Sequence, residues 1–168
     1  MTYTSEIRYH TALKADVLRQ TNKSTSFTPN RIIWATVGTQ ATSASLSASN
    51  TVVTLPAGSS YYLEASIGGI ATGKSSTAEL QFYDINAASY LGQSARLCIN
   101  NSHGFETVQG RRVARALILD SDITTSISVA LVIKGGSDPT SIGFSCSTTG
   151  INNQPIGIPT LRIIDLPS

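Results

Sequence analysis

From Arg31 onward the hydrophobic pattern of this chain has a period of two. Ile127, Val129, Leu131 and Ile133 alternate with Ser126, Ser128 and Ala130, as in a strand that buries one face. Ala78-Glu79-Leu80-Gln81-Phe82-Tyr83-Asp84 does the same, with Leu80 and Phe82 on one side and Glu79 and Gln81 on the other. Further strands are expected over residues 32–37, 51–55, 61–67, 94–99, 112–119, 141–146 and 160–166. The Ser/Ala-rich stretch 41–49 reads as a loop or an edge strand. Between these runs sit turn formers. Pro56-Ala57-Gly58 separates Leu55 from a Tyr-rich strand, Gly68-Gly69 closes that strand, and Gly135-Gly136-Ser137-Asp138-Pro139 makes a hairpin-grade turn, because Pro presets φ and Gly supplies conformations other residues resist. About nine strands with such punctuation predict an antiparallel sandwich or jelly roll. No amphipathic stretch long enough for a crossover helix separates them, which argues against a parallel α/β fold.

Residues 1–30 follow another pattern. Ile7, Leu13, Val17 and Leu18 are their main aliphatic side chains, and positions 7, 13 and 17 fit a helix only in part. A polar joint, Thr21-Asn22-Lys23-Ser24-Thr25-Ser26, leads to Pro29-Asn30. The segment reads as an N-terminal arm with a helical turn or two and a linker, ahead of one β domain over residues 31–168. Charge divides at the same place. Residues 1–31 carry Arg8, Lys14, Arg19, Lys23 and Arg31 against Glu6 and Asp16, a net +3, and the remainder nets −1. Arg8, Lys14, Arg19 and Lys23 are thus candidates for docking on an acidic partner, against the plainer reading of a solvated tail.

Composition narrows the class. Charged residues are only 13% of the chain, whereas Ser and Thr number 23 and 20. Short hydroxyl side chains suit a pleated sheet, and a weakly charged surface has fewer charges to desolvate on assembly. The net charge of +2 is too small to point to nucleic acid. No apolar run approaches a membrane span, and the N-terminus lacks the pattern of a secretory signal. Cys98 and Cys146 lack metal-ligand spacing and read as reduced core thiols.

Reactive chemistry is scarce. His10 and His103 are the two histidines, and no Gly-x-Ser-x-Gly elbow accompanies them, so no nucleophilic triad is expected. Asp120-Ser121-Asp122 could offer two oxygens to calcium, but the same residues build Asx turns and nothing nearby completes a ligand set. No cofactor, metal or catalytic residue is assigned, and the chain is expected not to be an enzyme. Two features point outward instead. Tyr61 and Tyr62 lie on opposite faces of their strand, so one leaves the core. Arg115 shares its face with Val113, Leu117 and Leu119, so it is expected to be partly buried against a carboxylate, in this chain or across an interface. Tyr62, Tyr83 and Arg115 are the candidate subunit-interface residues.

Three runs carry a resemblance. Leu55-Pro56-Ala57-Gly58 followed by Tyr61-Tyr62-Leu63-Glu64-Ala65, then Ala78 to Asp84, then Tyr90-Leu91-Gly92, resemble phage virion proteins with a jelly roll like the complement globular head and tumour necrosis factor. Residues 31–168 are covered, through strand-and-turn style rather than any invariant site. The resemblance implies an all-β jelly-roll sandwich of about eight to ten antiparallel strands with an N-terminal arm, assembled as a homotrimer. It implies a virion protein made in a bacterial cytoplasm, with the major capsid protein or another virion protein as partner, and neither nucleic acid nor membrane. A capsid decoration or cement protein is the leading expectation. The alternative is a receptor-binding or fibre-tip module for a host glycan or protein.

Overall fold

The computed structural model describes residues 8–14, 23–24, 29–34, 42, 44–66, 70–71, 76–102, 105–109, 113–137, 142–143 and 160–166. Along them run β1 (Arg8–Lys14), β2 (Lys23–Ser24), β3 (Arg31–Ile32), β4 (Ser45–Leu46), β5 (Val53–Leu55), β6 (Ser60–Ser66) and β7 (Ile70–Ala71). They are followed by β8 (Ser76–Asp84), β9 (Ser89–Ser102), β10 (Phe105–Gln109), β11 (Val113–Ile118), β12 (Ile127–Gly135), β13 (Ile142–Gly143) and β14 (Thr160–Leu166). The only helical piece among them is a single 3-10 turn, Asp120–Asp122. All pairings are antiparallel.

Two layers emerge from the pairing. One runs β1-β14-β6-β11; the other runs β9-β8-β12, with β3 and β5 both pairing with β12. If the main strands are numbered one to eight in chain order, the first layer reads 1-8-3-6 and the second 2-7-4-5. That is the order of two interleaved Greek keys, a jelly roll. The layers meet where Arg115 of β11 pairs with Gln93 of β9. Gly92 makes that approach possible. Its φ is +64°, and a Cβ there would overlap the Arg115 carbonyl oxygen and the Cα of Ala116, so only glycine fits both the backbone and the gap.

Strand alternation builds the core. In β6, Tyr61, Leu63 and Ala65 are buried while Tyr62, Glu64 and Ser66 are not. They pack with Leu161 and Ile163, Leu80 and Phe82, Leu97, Val129 and Leu131, Leu55, and Trp34. Ala114, Ala116 and Ile118 are the inward residues of β11, and the two alanines flank Arg115, where β11 pairs with β9.

Several expectations change. The start of the chain was expected to hold a helical turn, but residues 8–14 are strand β1, paired with β14 from Arg8↔Asp165 to Lys14↔Thr160. β2 likewise joins β3. Within the expected strand at 32–37, only Ile32 lies in β3, and residues 35–37 lie outside the described residues. β9 begins at Ser89, ahead of the expected 94, because Tyr83↔Tyr90 and Asp84↔Ser89 extend the ladder past a bulge around residues 92–94. β10 was not anticipated.

Candidate interaction faces

The turns that frame the faces are tied by side chains. Gly58, at φ +91°, donates its N–H to Asp120 Oδ1 at 3.0 Å, and the Asp120 N–H donates to Ser60 Oγ at 2.9 Å. Asp120 thus pins the Pro-Ala-Gly turn to the 3-10 turn, the local role that Asx residues take in loops. Among the described residues no group of three or more His, Cys, Asp or Glu could hold a metal ion. At the next hairpin, Asp84 Oδ1 accepts from the N–H groups of Asn86 and Ala87, and Asn86 Oδ1 accepts from the Ser128 N–H.

The outer face of the β1-β14-β6-β11 sheet is organised in rows by register. Ile164, Tyr62 and Leu117 lie across from one another on β14, β6 and β11. Leu117 is 58% exposed and Leu119, just beyond the strand, 45%. The neighbouring row is Arg162, Glu64 and Arg115. Glu64 lies between both cations, with Arg115 Nε at 3.0 Å and Arg162 Nη1 at 3.7 Å. Arg115 was expected to be partly buried; its side chain is half exposed. The reason is that Ala114 and Ala116, not Val113 and Leu117, face the core. The carboxylate partner it was expected to need is Glu64 of the same chain.

The other sheet is closed over more tightly. Ala130 and Val132, on the side of β12 away from the core, are as buried as Val129 and Leu131. Val132 lies between Arg31 and Gln81 in register, and Ala130 beside Tyr83. Gln81 is itself buried; it donates to the Gly92 carbonyl at 2.7 Å and accepts from Lys134 Nζ at 3.1 Å. Lys134 also pairs with Glu79 at 3.6 Å and lies 5.1 Å from the centre of the Tyr90 ring. Tyr90 meets Tyr83 edge-on at 5.2 Å. Burial pushes the Arg31 guanidinium below its usual pKa, and the nearby Tyr83 partly offsets that.

The candidate residues therefore separate. Tyr62 and Arg115 share one outer face, and Tyr83 belongs to the opposite sheet. Arg8 and Lys14 begin and end β1, Lys23 lies in β2, and Arg19 lies outside the described residues. His10 is in β1, opposite Ile163 in register; His103, Arg111, Arg112 and Cys146 lie outside the described residues. Cys98 is a free thiol and only partly buried, since Ala95 and Leu97 take the inward positions of β9. Sequence reasoning missed Glu64 as the hub of two ion pairs and missed the outward turn of Leu117 and Leu119. The Ala-x-Ala spacing at 114 and 116 was the available signal. No helix among the described residues is long and apolar enough to cross a membrane. No protein-family model matches this chain, and neither does any curated protein or solved structure.

Proposed function

We propose that this chain is a structural protein of a bacteriophage virion, a homotrimer that decorates or cements the capsid and holds coat subunits through its basic N-terminal segment and base. The observation that carries the reading is the row Ile164–Tyr62–Leu117 with Leu119 beyond it. Single exposed leucines are ordinary on a monomer, but a contiguous aromatic and aliphatic row favours a covered face. The Arg162–Glu64–Arg115 row beside it gives such a face a polar margin, as in the core-and-rim arrangement of interfaces. A jelly roll with so few charges and the resemblance of its turns to phage virion proteins supply the rest. No enzymatic role is part of this reading.

Sedimentation velocity on the full chain tests the assembly. A trimer or a multiple of it is expected, and Leu117→Asp with Leu119→Asp should abolish the threefold assembly without unfolding the chain, because both side chains are exposed in the single chain. A wild-type protein that stays monomeric or dimeric in solution, and sits as isolated monomers in particle images, overturns the proposal. A second reading, a receptor-binding tip, is favoured by the exposed Tyr90 beside Tyr83 and Lys134. It predicts that Tyr90→Ala weakens adsorption to host cells, with the protein at a tail tip; the decoration reading places it on the head.

A further inference from the structure

We propose that β10 is a pairing edge: its open side takes the β10 strand of a second copy of this chain, antiparallel and in register about Thr107. β9 outruns β8, whose pairing ends at Ile99, and residues 100–102 pair with β10. Among the described residues β10 pairs with β9 alone and packs substantially on no other element. A two-stranded ribbon is marginal in water by itself, and an open strand edge is a template for another strand.

Other edges of this fold carry the usual protections. β1 begins with Arg8 and ends with Lys14, β2 contains Lys23, and β4 is two residues long. Phe105-Glu106-Thr107-Val108-Gln109 holds no Lys, Arg or Pro and a single Glu. It is also self-complementary. Antiparallel pairing centred on Thr107 overlaps the whole strand and sets Thr107 opposite Thr107, Glu106 opposite Val108 and Phe105 opposite Gln109. Thr–Thr is a favourable cross-strand pair, and no like charges stand directly opposed. Centring on Glu106 would oppose the two carboxylates.

The backbone suits the same register. Only two residues separate Ser102 from its partner Phe105, so that pair closes a tight hairpin and turns its hydrogen bonds toward β9. Alternation then turns the N–H and C=O groups of Thr107 and Gln109 inward and those of Glu106 and Val108 outward. In the Thr107-centred register, Glu106 of each copy bonds reciprocally with Val108 of the other. The contact is two-fold and isologous and uses none of the residues assigned to the proposed trimer.

The test is oxidative cross-linking of the full chain with Cys98→Ser in every variant, since Cys98 lies opposite Gln109 on β9 and would capture a cysteine placed there, with the new bond mapped by mass spectrometry. Directly opposed residues lie roughly 4.5–5.5 Å apart at Cα, within disulfide reach. Thr107→Cys should give a covalent dimer joined through position 107, whereas Gln109→Cys, which has no counterpart opposite itself, should not. Adding Glu106→Pro, which removes an outward N–H that β9 does not use, should abolish the cross-link with the near-ultraviolet circular dichroism unchanged. No dimer from Thr107→Cys, or equal dimer from both positions, overturns the proposal, as does a cross-link that survives in folded Glu106→Pro protein. If Glu106→Pro misfolds, the contrast between positions 107 and 109 decides alone. The Leu117→Asp, Leu119→Asp background separates this proposal from the trimer: loss of the trimer there with the cross-link kept leaves the β10 contact standing.

Discussion

Gly92 and Gly58 both adopt positive φ, but their surroundings differ. A Cβ at Gly92 would collide with the backbone of β11, and one at Gly58 would meet nothing within 4 Å. Gly58→Ala is therefore expected to cost about 1 kcal/mol, the conformational penalty alone. Gly92→Ala should cost about 2–4 kcal/mol, because the seam between the layers must open as well. Urea unfolding of the two variants checks the difference, and equal losses would contradict a steric role for the seam. Glu64 gives the opposite lesson. It pairs with two arginines, yet both are half exposed, and exposed pairs contribute little. Glu64→Gln should lower stability by less than about 1 kcal/mol, and by less still at high salt.

At the scale of the element, β12 is the strand buried on both sides. Its inward set, Val129, Leu131 and Ile133, was legible from alternation. Alternation left open whether its other face meets solvent; Ala130 and Val132 are buried there, beside Tyr83 and between Arg31 and Gln81 in register. Val132→Asp should thus prevent folding as fully as Leu131→Asp, since either leaves a buried carboxylate unpaired. Ser128→Asp, at a half-buried position near the strand's start, should cost no more than about 1 kcal/mol. Expression and circular dichroism of the three variants distinguish these outcomes. β11 shows the converse. Ala114, Ala116 and Ile118 face inward, and Leu117 between the last two faces outward, so alternation in this register puts a leucine on the exposed side and alanines in the core.

For the molecule as a whole, β1 makes the N-terminal segment part of the sheet. Its pairing with β14 runs from Arg8↔Asp165 to Lys14↔Thr160, with one irregularity between Thr11 and Leu13, so removing residues 2–14 would bare the edge of β14. The truncated protein is expected to fold with a thermal midpoint lowered by several degrees, roughly the effect of 1–2 kcal/mol in a domain of this size. Scanning calorimetry measures it, and an unchanged midpoint would show that β1 adds nothing to the fold. The truncation also bears on the proposed docking role of Arg8 and Lys14. Weaker, less salt-sensitive attachment to particles that lack the protein is expected if those cations contribute.

By itself the sequence determined the period-two segments, their turns and hence the antiparallel all-β class, because alternation and Pro/Gly punctuation are local signals set by backbone sterics and the pleat. It likewise fixed that Tyr61 and Tyr62 part to opposite faces, since neighbours in a strand always do. The tertiary structure alone decided which of two possible faces is covered. Val132 is buried between Arg31 and Gln81 in register, partners far from it along the chain, and Leu117 lies outside because Ala114, Ala116 and Ile118 are the residues of β11 that face the core. The strand at residues 8–14 was hidden for the same reason: its alternation is weak, and β14, at the other end of the sequence, supplies the ladder that makes it a strand.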